Sequence, residues 1–585
     1  MGQSSPARRG NGLSIPTLAV VLALHKAGHQ EEAERGYRAI VAATANADAM
    51  QLLATLLHQR GESAEALNWL DRAMPHLAQR DAAESNRSAL LLALGRHDEA
   101  LATAIAVLAR QPGHVGARRN RDLARLALAR AVTDLITRVD AWTAYLADVA
   151  TATDAWLEYG NALQNIGESE VAVAAFDAAQ QAWVGMPEVA SAALIAAHFE
   201  ASATTASLAA RARTAAAQYV QQAPSMMTAG ERDADTFGFY SPRFGDGPIA
   251  SLILPVLREL RANGVRIVLY SGVDHEPEDA RAYREIADVF HDIGALDDAG
   301  FLVQADADRV GVMFDLCGHA PGNRLRSFAA RLAPLQVSWG DWFCTTGLPE
   351  MDVFIGDTVT TPPQEDDWFA ERVWRLPTRF VHALPADTPA PSDTVPEQPR
   401  FASFNRLSKL TGATSAAWAQ ILRRVPDATL LLRSGGLEQA SLRQHVAARF
   451  SAQGVDPQRI EFEPFGSYAE TLARYRNVRV ALDPFPFNGC VTTLDALAMH
   501  VPVVALRGHS VVARQSAALL AAIDRTEWIA QDIDEYIDTA ARLIDARTNL
   551  DARRMLGHAV PLPIFDVPRY TEGLLGAIRE VQTAR

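Results

Sequence analysis

The stretch DPFPFNGCVTTLDAL, residues 483–497, gathers side chains suited to chemistry between two apolar runs, VRVAL and VPVVAL. A strand ending in Asp483, a turn through Asn488 and Gly489 and a helix opening on Thr492 and Thr493 leave backbone N–H groups without helical partners. The helix dipole is positive at that end. Such a turn binds anions, most often phosphate; an ordinary Thr-capped turn is the alternative. A second run, FNRLSKL, ends another strand with Asn405, Arg406 and Lys409. Two cations beside a backbone anion site describe a diphosphate or phosphodiester pocket better than a capped turn does.

The elements that must position these residues are short apolar runs separated by amphipathic segments. From Thr236 they read TFGFYS, VRIVLYSG, VGVMFDLCGH, LQVSWGDW and MDVFIGD; after ALPADTPAPSDTVPEQPR a second series reads FASFN, ATLLLRS, RIEFEP, VRVALDP and VPVVAL. That pattern is βαβ alternation around buried parallel sheets. It predicts a first lobe over 236–385, an interlobe linker over 386–400 and a second lobe over 401–585. Two doubly wound lobes turn their strand C-termini toward a shared cleft, where open α/β sheets bind ligands.

The first third follows another rhythm. Gly28, Gly61, Gly95 and Gly167 each precede an alanine by five residues, Ala33, Ala66, Ala100 and Ala172, at spacings of 33, 34 and 72. The doubled interval predicts a degenerate copy around RDLARLALARAVTDL. The pattern is similar to the tetratricopeptide repeat, a helical pair of about 34 residues, and the fullest copy is WLEYGNALQNIGESEVAVAAFDAA, with Trp156, Gly160, Ala172 and Phe176. A generic alanine-rich bundle is the alternative. The repeats are expected over 1–190, with a helical connector over 191–235. Stacked repeats form a groove for a protein or extended peptide.

At 585 residues with a formal net charge of −14, the chain reads as multidomain. It is a poor match for nucleic acid or an anionic membrane as main partner. Cys317, Cys344 and Cys490 are odd in number and lack metal-ligand spacing, which fits a reducing compartment; the cytoplasm is the expected location. Arg8 and Arg9 before TLAVVLAL imitate a targeting signal. The run passes straight into a polar helical pattern, so a helix of the repeats is expected instead, and no run approaches the length of a membrane span.

FNRLSK, DPFPFNG…TTLDAL…VPVVAL, FDLCGHAPGNRLRSFAARLAPLQVSW and TTGLPEMD together resemble the O-GlcNAc transferase family, over nearly the whole chain. That family joins tetratricopeptide repeats to a two-lobed GT-B glycosyltransferase. The resemblance implies an inverting, metal-independent enzyme. Lys409, Thr492 and Thr493 would hold the donor phosphates, with Arg406, Asn488 and Gly489 beside them. Asp495 would hold the ribose, and Gly466, Tyr468 and Thr471 would lie on the nucleotide side. No cofactor is implied beyond the nucleotide sugar itself. The acidic DAD runs at Asp233–Asp235 and Asp306–Asp308 precede strands, the wrong end for a metal-bound donor.

The chain departs from that pattern where SxDFxxHP reads SPRFGDGP, so that Arg243 replaces an acid and Gly247 a histidine. On the nucleotide side EH becomes Glu470 and Thr471, and the first helix-start Thr residues become Cys490 and Val491. A guanidinium in place of an imidazole suits a bulky donor sugar with a carboxylate, such as a nonulosonic acid carried on CMP; pairing of Arg243 with Asp246 is the alternative. The flagellin glycosyltransferases, which share this architecture, make flagellin the expected acceptor. With the usual base gone, the candidates are His319, which could instead bond a loop, and Asp341. The expected reaction is transfer of the sugar to Ser or Thr of a protein. A UDP-GlcNAc-dependent O- or N-transferase and a non-catalytic repeat scaffold are the other readings.

Overall fold

The computed structural model describes residues 15–149, 153–225, 232–245, 249–273, 280–385, 388–558 and 562–583. Arg8, Arg9, Asp246 and Gly247 lie outside the described residues. The chain forms two compact units, one of residues 1–133 and 137–155, the other of 134–136 and 156–585.

The first unit is a run of helical hairpins. Leu18–Lys26 pairs with Gln30–Thr44, Ala47–Gln59 with Ser63–Ala73, and Arg80–Ala93 with His97–Arg110. Gly28, Gly61 and Gly95 turn each pair at φ of +85°, +84° and +72°, a region that costs other residues strain. The alanine five positions on is buried in each case, and its small side chain lets the two helices close. Where the degenerate copy is expected, the helices Val115–Ala131 and Leu135–Asp148 follow, the first packed on Arg80–Ala93 and His97–Arg110.

Thr153–Asn165, all but its first three residues in the second unit, and Ser169–Ala182 follow. A Cβ on Gly160 would stand 2.7 Å from the Phe176 ring, so this glycine is fixed by close approach. The segment expected to be a connector is part of a core. Leu194, Ala197, Leu208 and Ala212 pack with Trp342, Phe354 and Val511, while Ala216 and Tyr219 pack with Phe301 and Met313.

The first lobe's sheet holds β1 (Asp233–Ser241), β2 (Arg266–Ser271), β3 (Val289–Asp292), β4 (Val310–Asp315), β5 (Leu335–Ser338), β6 (Val353–Gly356) and β7 (Arg372–Arg375). Their order is 3-2-1-4-5-6-7, with every pairing parallel. The second lobe holds β8 (Arg400–Ser403), β9 (Thr429–Arg433), β10 (Ile460–Glu463), β11 (Val480–Leu482), β12 (Val503–Leu506) and β13 (Ile529–Ala530). These run 10-9-8-11-12-13, again parallel. Both orders reverse direction once, between β1 and β4 and between β8 and β11, and a ligand crevice opens at each reversal. The FNRLSK and DPFPFNG motifs follow β8 and β11, the two strands flanking the second reversal.

The boundary at 401–585 needs correction at its end. The last helix, Val567–Thr583, packs on Ala250–Ala262 of the first lobe. There Trp339 Nε1 donates to Tyr570 Oη at 3.0 Å, and Tyr570 Oη donates to the Arg379 carbonyl at 2.7 Å. The linker is pinned to the second lobe: Arg476 Nη2 donates to the Ala390 carbonyl at 2.8 Å and Arg479 Nε to that of Pro396 at 2.8 Å.

Candidate active site

Around the second reversal the turn after β11 is built from the inside. Tyr536 Oη donates to the Asp483 carbonyl at 2.8 Å, and Thr411 Oγ1 donates to that of Phe485 at 3.0 Å. Asp483 Oδ1 accepts the Gly489 N–H at 2.7 Å. A Cβ at Gly489 would meet Thr492 Oγ1 at 2.5 Å and Asp483 Oδ1 and Thr493 Oγ1 at 2.8 Å, so only glycine fits. Burial raises the Asp483 carboxyl to about 7, against the Gly489 N–H and the Lys409 charge.

The helix Val491–Ala498 opens on Cys490 with no side-chain cap, and the amides of Thr493 and Leu494 return to the Cys490 carbonyl. This leaves the amides of Val491 and Thr492 as first-turn donors without a helical partner. Lys409 stands beside them. Its Nζ donates to the Asn488 carbonyl at 2.8 Å and to Asn405 Oδ1 at 3.4 Å, and lies 4.7 Å from the centre of the Phe487 ring. Thr492 Oγ1 donates to the same Asn405 oxygen at 3.1 Å. Desolvation lowers Lys409 to about 8, although Asp483, Cys490 and Asp341 favour its charge. Arg406 is exposed on the same loop.

Across the cleft, Asp341 follows β5 and is exposed. The surrounding protein raises its carboxyl, opposed by the charges of Arg406, Lys409 and Arg379. A carboxylate held near cations and open to the cleft can take a proton from a hydroxyl.

Several expected residues do something other than expected. His319 is buried, with Nδ1 2.7 Å from Ser191 Oγ and Nε2 2.8 Å from the Thr346 carbonyl. With the Thr346 bond made by Nε2–H, Nδ1 accepts from Ser191. This leaves no lone pair for a substrate proton, burial lowers the ring to about 4, and the base role does not fit it. It ties the β4 loop to the TTGLPEMD loop, where Glu371 accepts from the Thr345 and Thr346 hydroxyls. Thr493 is also turned inward, its Oγ1 2.8 Å from Ser516 Oγ, so Thr492 alone of the pair offers its hydroxyl near Lys409. Asn488 contributes a carbonyl, since its amide donates to the Pro484 carbonyl at 3.0 Å.

Asp495 is buried: Oδ1 accepts from Tyr468 Oη and lies 3.2 Å from His382 Nε2. In this structure its carboxylate therefore meets protein rather than the open cleft. Thr471 Oγ1 donates back to the Ser467 carbonyl at 3.0 Å. Ser467 and Glu470 form a capping box for Tyr468–Arg474, and Gly466 is the exposed residue before it. Arg243 is exposed at the end of β1; a Cβ on Gly245 would lie 3.0 Å from its Nε. The Lys409–Asn405–Thr492 cluster is built without it. Asn405 stands at the rim as its motif suggests, while Phe487 and Tyr475, whose Oη donates to the Thr492 carbonyl at 3.0 Å, are additions from the structure, since an aromatic after an apolar run carries no distinctive signal.

Among the described residues no group of three or more His, Cys, Asp or Glu is placed to hold a metal ion. Cys317, Cys344 and Cys490 are free thiols. No helix among those residues is long and apolar enough to cross a membrane.

Two parallel Rossmann-like lobes, with a cationic anion site at the second reversal and helical repeats ahead of them, define a GT-B fold joined to repeats of the tetratricopeptide type. The model of glycosyl transferase family 41 matches residues 208–383 and 391–574. The chain belongs to that family. A probable UDP-N-acetylglucosamine–peptide N-acetylglucosaminyltransferase SPINDLY from Petunia hybrida is 28% identical over 355 residues, 59% of this chain and 38% of the relative. A UDP-N-acetylglucosamine–peptide N-acetylglucosaminyltransferase from Caenorhabditis elegans is 31% identical over 183 residues, 30% of this chain and 16% of the relative. The chain thus spans 38% of the length of the first of these relatives. A mutant O-GlcNAc transferase from Thermobaculum terrenum superposes with a TM-score of 0.73 at 26% identity, over 87% of this chain and all of the other.

Proposed function

We propose that the chain is an inverting protein O-glycosyltransferase that moves a sugar from a nucleotide donor to a Ser or Thr hydroxyl. The observation that carries this reading is Lys409, packed on Phe487 and bonded to the turn that opens the helix Val491–Ala498. The acceptor hydroxyl attacks the anomeric carbon, its proton passes to Asp341, and the bond to the nucleotide phosphate breaks. Lys409, Arg406 and the first-turn amides of Val491 and Thr492 meet the charge on the leaving phosphate. Preorganised donors of this kind are worth about 10² to 10³ in rate each. This reading needs no divalent metal for that step.

The finer reading gives the enzyme a CMP-linked nonulosonic acid and a protein acceptor such as flagellin. It is supported by the altered positions Arg243, Thr471, Cys490 and Val491. The names of the relatives favour a second donor, UDP-N-acetylglucosamine. Incubating the protein with each donor and a candidate acceptor and weighing the acceptor by mass spectrometry separates the two. A mass increase with UDP-N-acetylglucosamine alone would overturn the CMP reading, and none with any nucleotide sugar would overturn transfer itself.

A further inference from the structure

Asp495 is the one acid in the helix Val491–Ala498. It lies three residues on from Thr492, on the same face and about 4.5 Å further along the axis. A carboxylate so near a helix start that binds anions repels a bare phosphate. It favours an anion that brings hydroxyl groups one turn deeper, and a nucleotide brings them on its ribose. The carboxylate is nonetheless already engaged. Tyr468 Oη donates to its Oδ1, and His382 Nε2 stands 3.2 Å from the same oxygen. Burial and the neighbouring carboxylate raise the phenol's pKa, so Tyr468 is a neutral donor.

The two partners differ in freedom. His382 is fully buried, and its N–H donates to the Ile564 carbonyl at 2.9 Å. Tyr468 is half-buried, opens the helix Tyr468–Arg474 and follows four exposed residues, Pro464 to Ser467. Its phenol can turn toward solvent without moving a strand, while Tyr475, just beyond that helix, keeps the backbone beside Thr492. A ribose with both hydroxyls offers the carboxylate two donors, and the phenol offers one. Displacing the phenol gains a bond for a ribonucleotide. A 2′-deoxynucleotide exchanges one bond for another, and a 2′,3′-dideoxynucleotide leaves the phenol where it is.

We infer that Tyr468 is a specificity residue, an internal competitor for Asp495 that only the paired hydroxyls of a ribonucleotide displace with a net gain. This rests on the nucleotide-sugar reading above. Discrimination of this kind comes from what the wrong ligand fails to overcome rather than from an added contact. In a Tyr468→Phe variant His382 still faces Asp495 Oδ1, so loss of the phenol does not leave the carboxylate alone.

The test is isothermal titration of the full chain with whichever of CMP and UDP binds more tightly, and with its 2′-deoxy and 2′,3′-dideoxy forms. One hydrogen bond to a charged group changes affinity by about tenfold or more. The wild type should therefore bind the ribonucleotide at least about tenfold tighter than the 2′-deoxynucleotide, and the two deoxy forms within about twofold of each other. Tyr468→Phe should tighten the ribonucleotide and the 2′-deoxynucleotide by about tenfold each and leave the dideoxynucleotide within about twofold. A phenol that only supported the fold would give weaker binding of all three. Ribonucleotide affinity unchanged or weakened in Tyr468→Phe would overturn the inference, as would equal binding of ribonucleotide and 2′-deoxynucleotide by the wild type. If nucleotide binds, depends on Lys409 and fails these comparisons, the inference falls and the transferase reading stands; if no nucleotide binds, both fall.

Discussion

At Lys409 burial and catalysis pull the ammonium in opposite directions. Desolvation lowers its pKa from 10.5 to about 8, while the leaving phosphate needs the charged form. In the free enzyme the charge is present below about pH 8 and lost above it, so kcat/KM for the donor should be flat to that pH and then fall about tenfold per unit. Lys409→Arg should carry the descending limb to higher pH in the same profile. The linkage has the opposite sense for stability. A lysine whose folded pKa is depressed contributes stability that is present above 10.5 and lost as pH falls through about 8. Lys409→Met should therefore unfold no earlier than the wild type at pH 7 while transfer falls by at least about a hundredfold. A melting curve and a single-turnover assay on the same preparation check both halves. Asp341→Asn should lower kcat by about 10² to 10⁴ and leave nucleotide affinity unchanged, as loss of a base alone would; near-normal turnover would leave the base unassigned.

At the scale of elements, the turn between β11 and its helix depends on one glycine. Gly489→Ala puts a methyl 2.5 Å from Thr492 Oγ1 and 2.8 Å from Asp483 Oδ1, where the neighbours are held by Asn405 and by the turn's own amide. Overpacking of this kind costs about 1–3 kcal/mol. The variant should melt earlier and bind nucleotide more weakly, and unchanged values for both would remove the turn from the site. The turn was legible in the sequence because its strand is buried on both faces and reads as an unbroken apolar run. Burial on both faces also marks β4, β5 and the inner residues of β1, β8, β9 and β12. Three of the four edge strands escaped: β3 and β7 carry His, Asp and Arg at half-buried or exposed positions, and β13 is two residues long. Spacing also cannot say which way a hydroxyl turns. Thr492 and Thr493 read alike, yet one bonds Asn405 and the other Ser516. His319 read as a cleft residue because the strand before it ends there, and only packing reveals Ser191 and Thr346 on its two nitrogens.

At the scale of the molecule, the repeat pattern runs on past the point where the first compact unit ends, and this changes how recognition and chemistry can be separated. Residues 1–190 read as one repeat domain, but the hairpin of Thr153–Asn165 and Ser169–Ala182 is anchored to the second lobe. His445 Nε2 lies 3.0 Å from Glu168 Oε1, Ser169 Oγ donates to the Ser408 carbonyl at 2.5 Å, and Arg449 Nη1 donates to that of Gly167 at 3.1 Å. Ser408 is the neighbour of Lys409, so this hairpin supports the very loop that carries the cation. A fragment of residues 191–585 should lose nucleotide binding through collapse of that support. A fragment of residues 134–585 keeps the hairpin and should hold nucleotide within about threefold of the full chain, because it removes no group placed in the site. If the groove of the earlier repeats selects the protein acceptor, the longer fragment should hydrolyse or bind donor normally and yet leave the acceptor unmodified. Titration calorimetry with nucleotide and mass spectrometry of the acceptor, run on the two fragments and the full chain, distinguish these outcomes. Acceptor modification retained by residues 134–585 would move recognition from the repeats to the lobes.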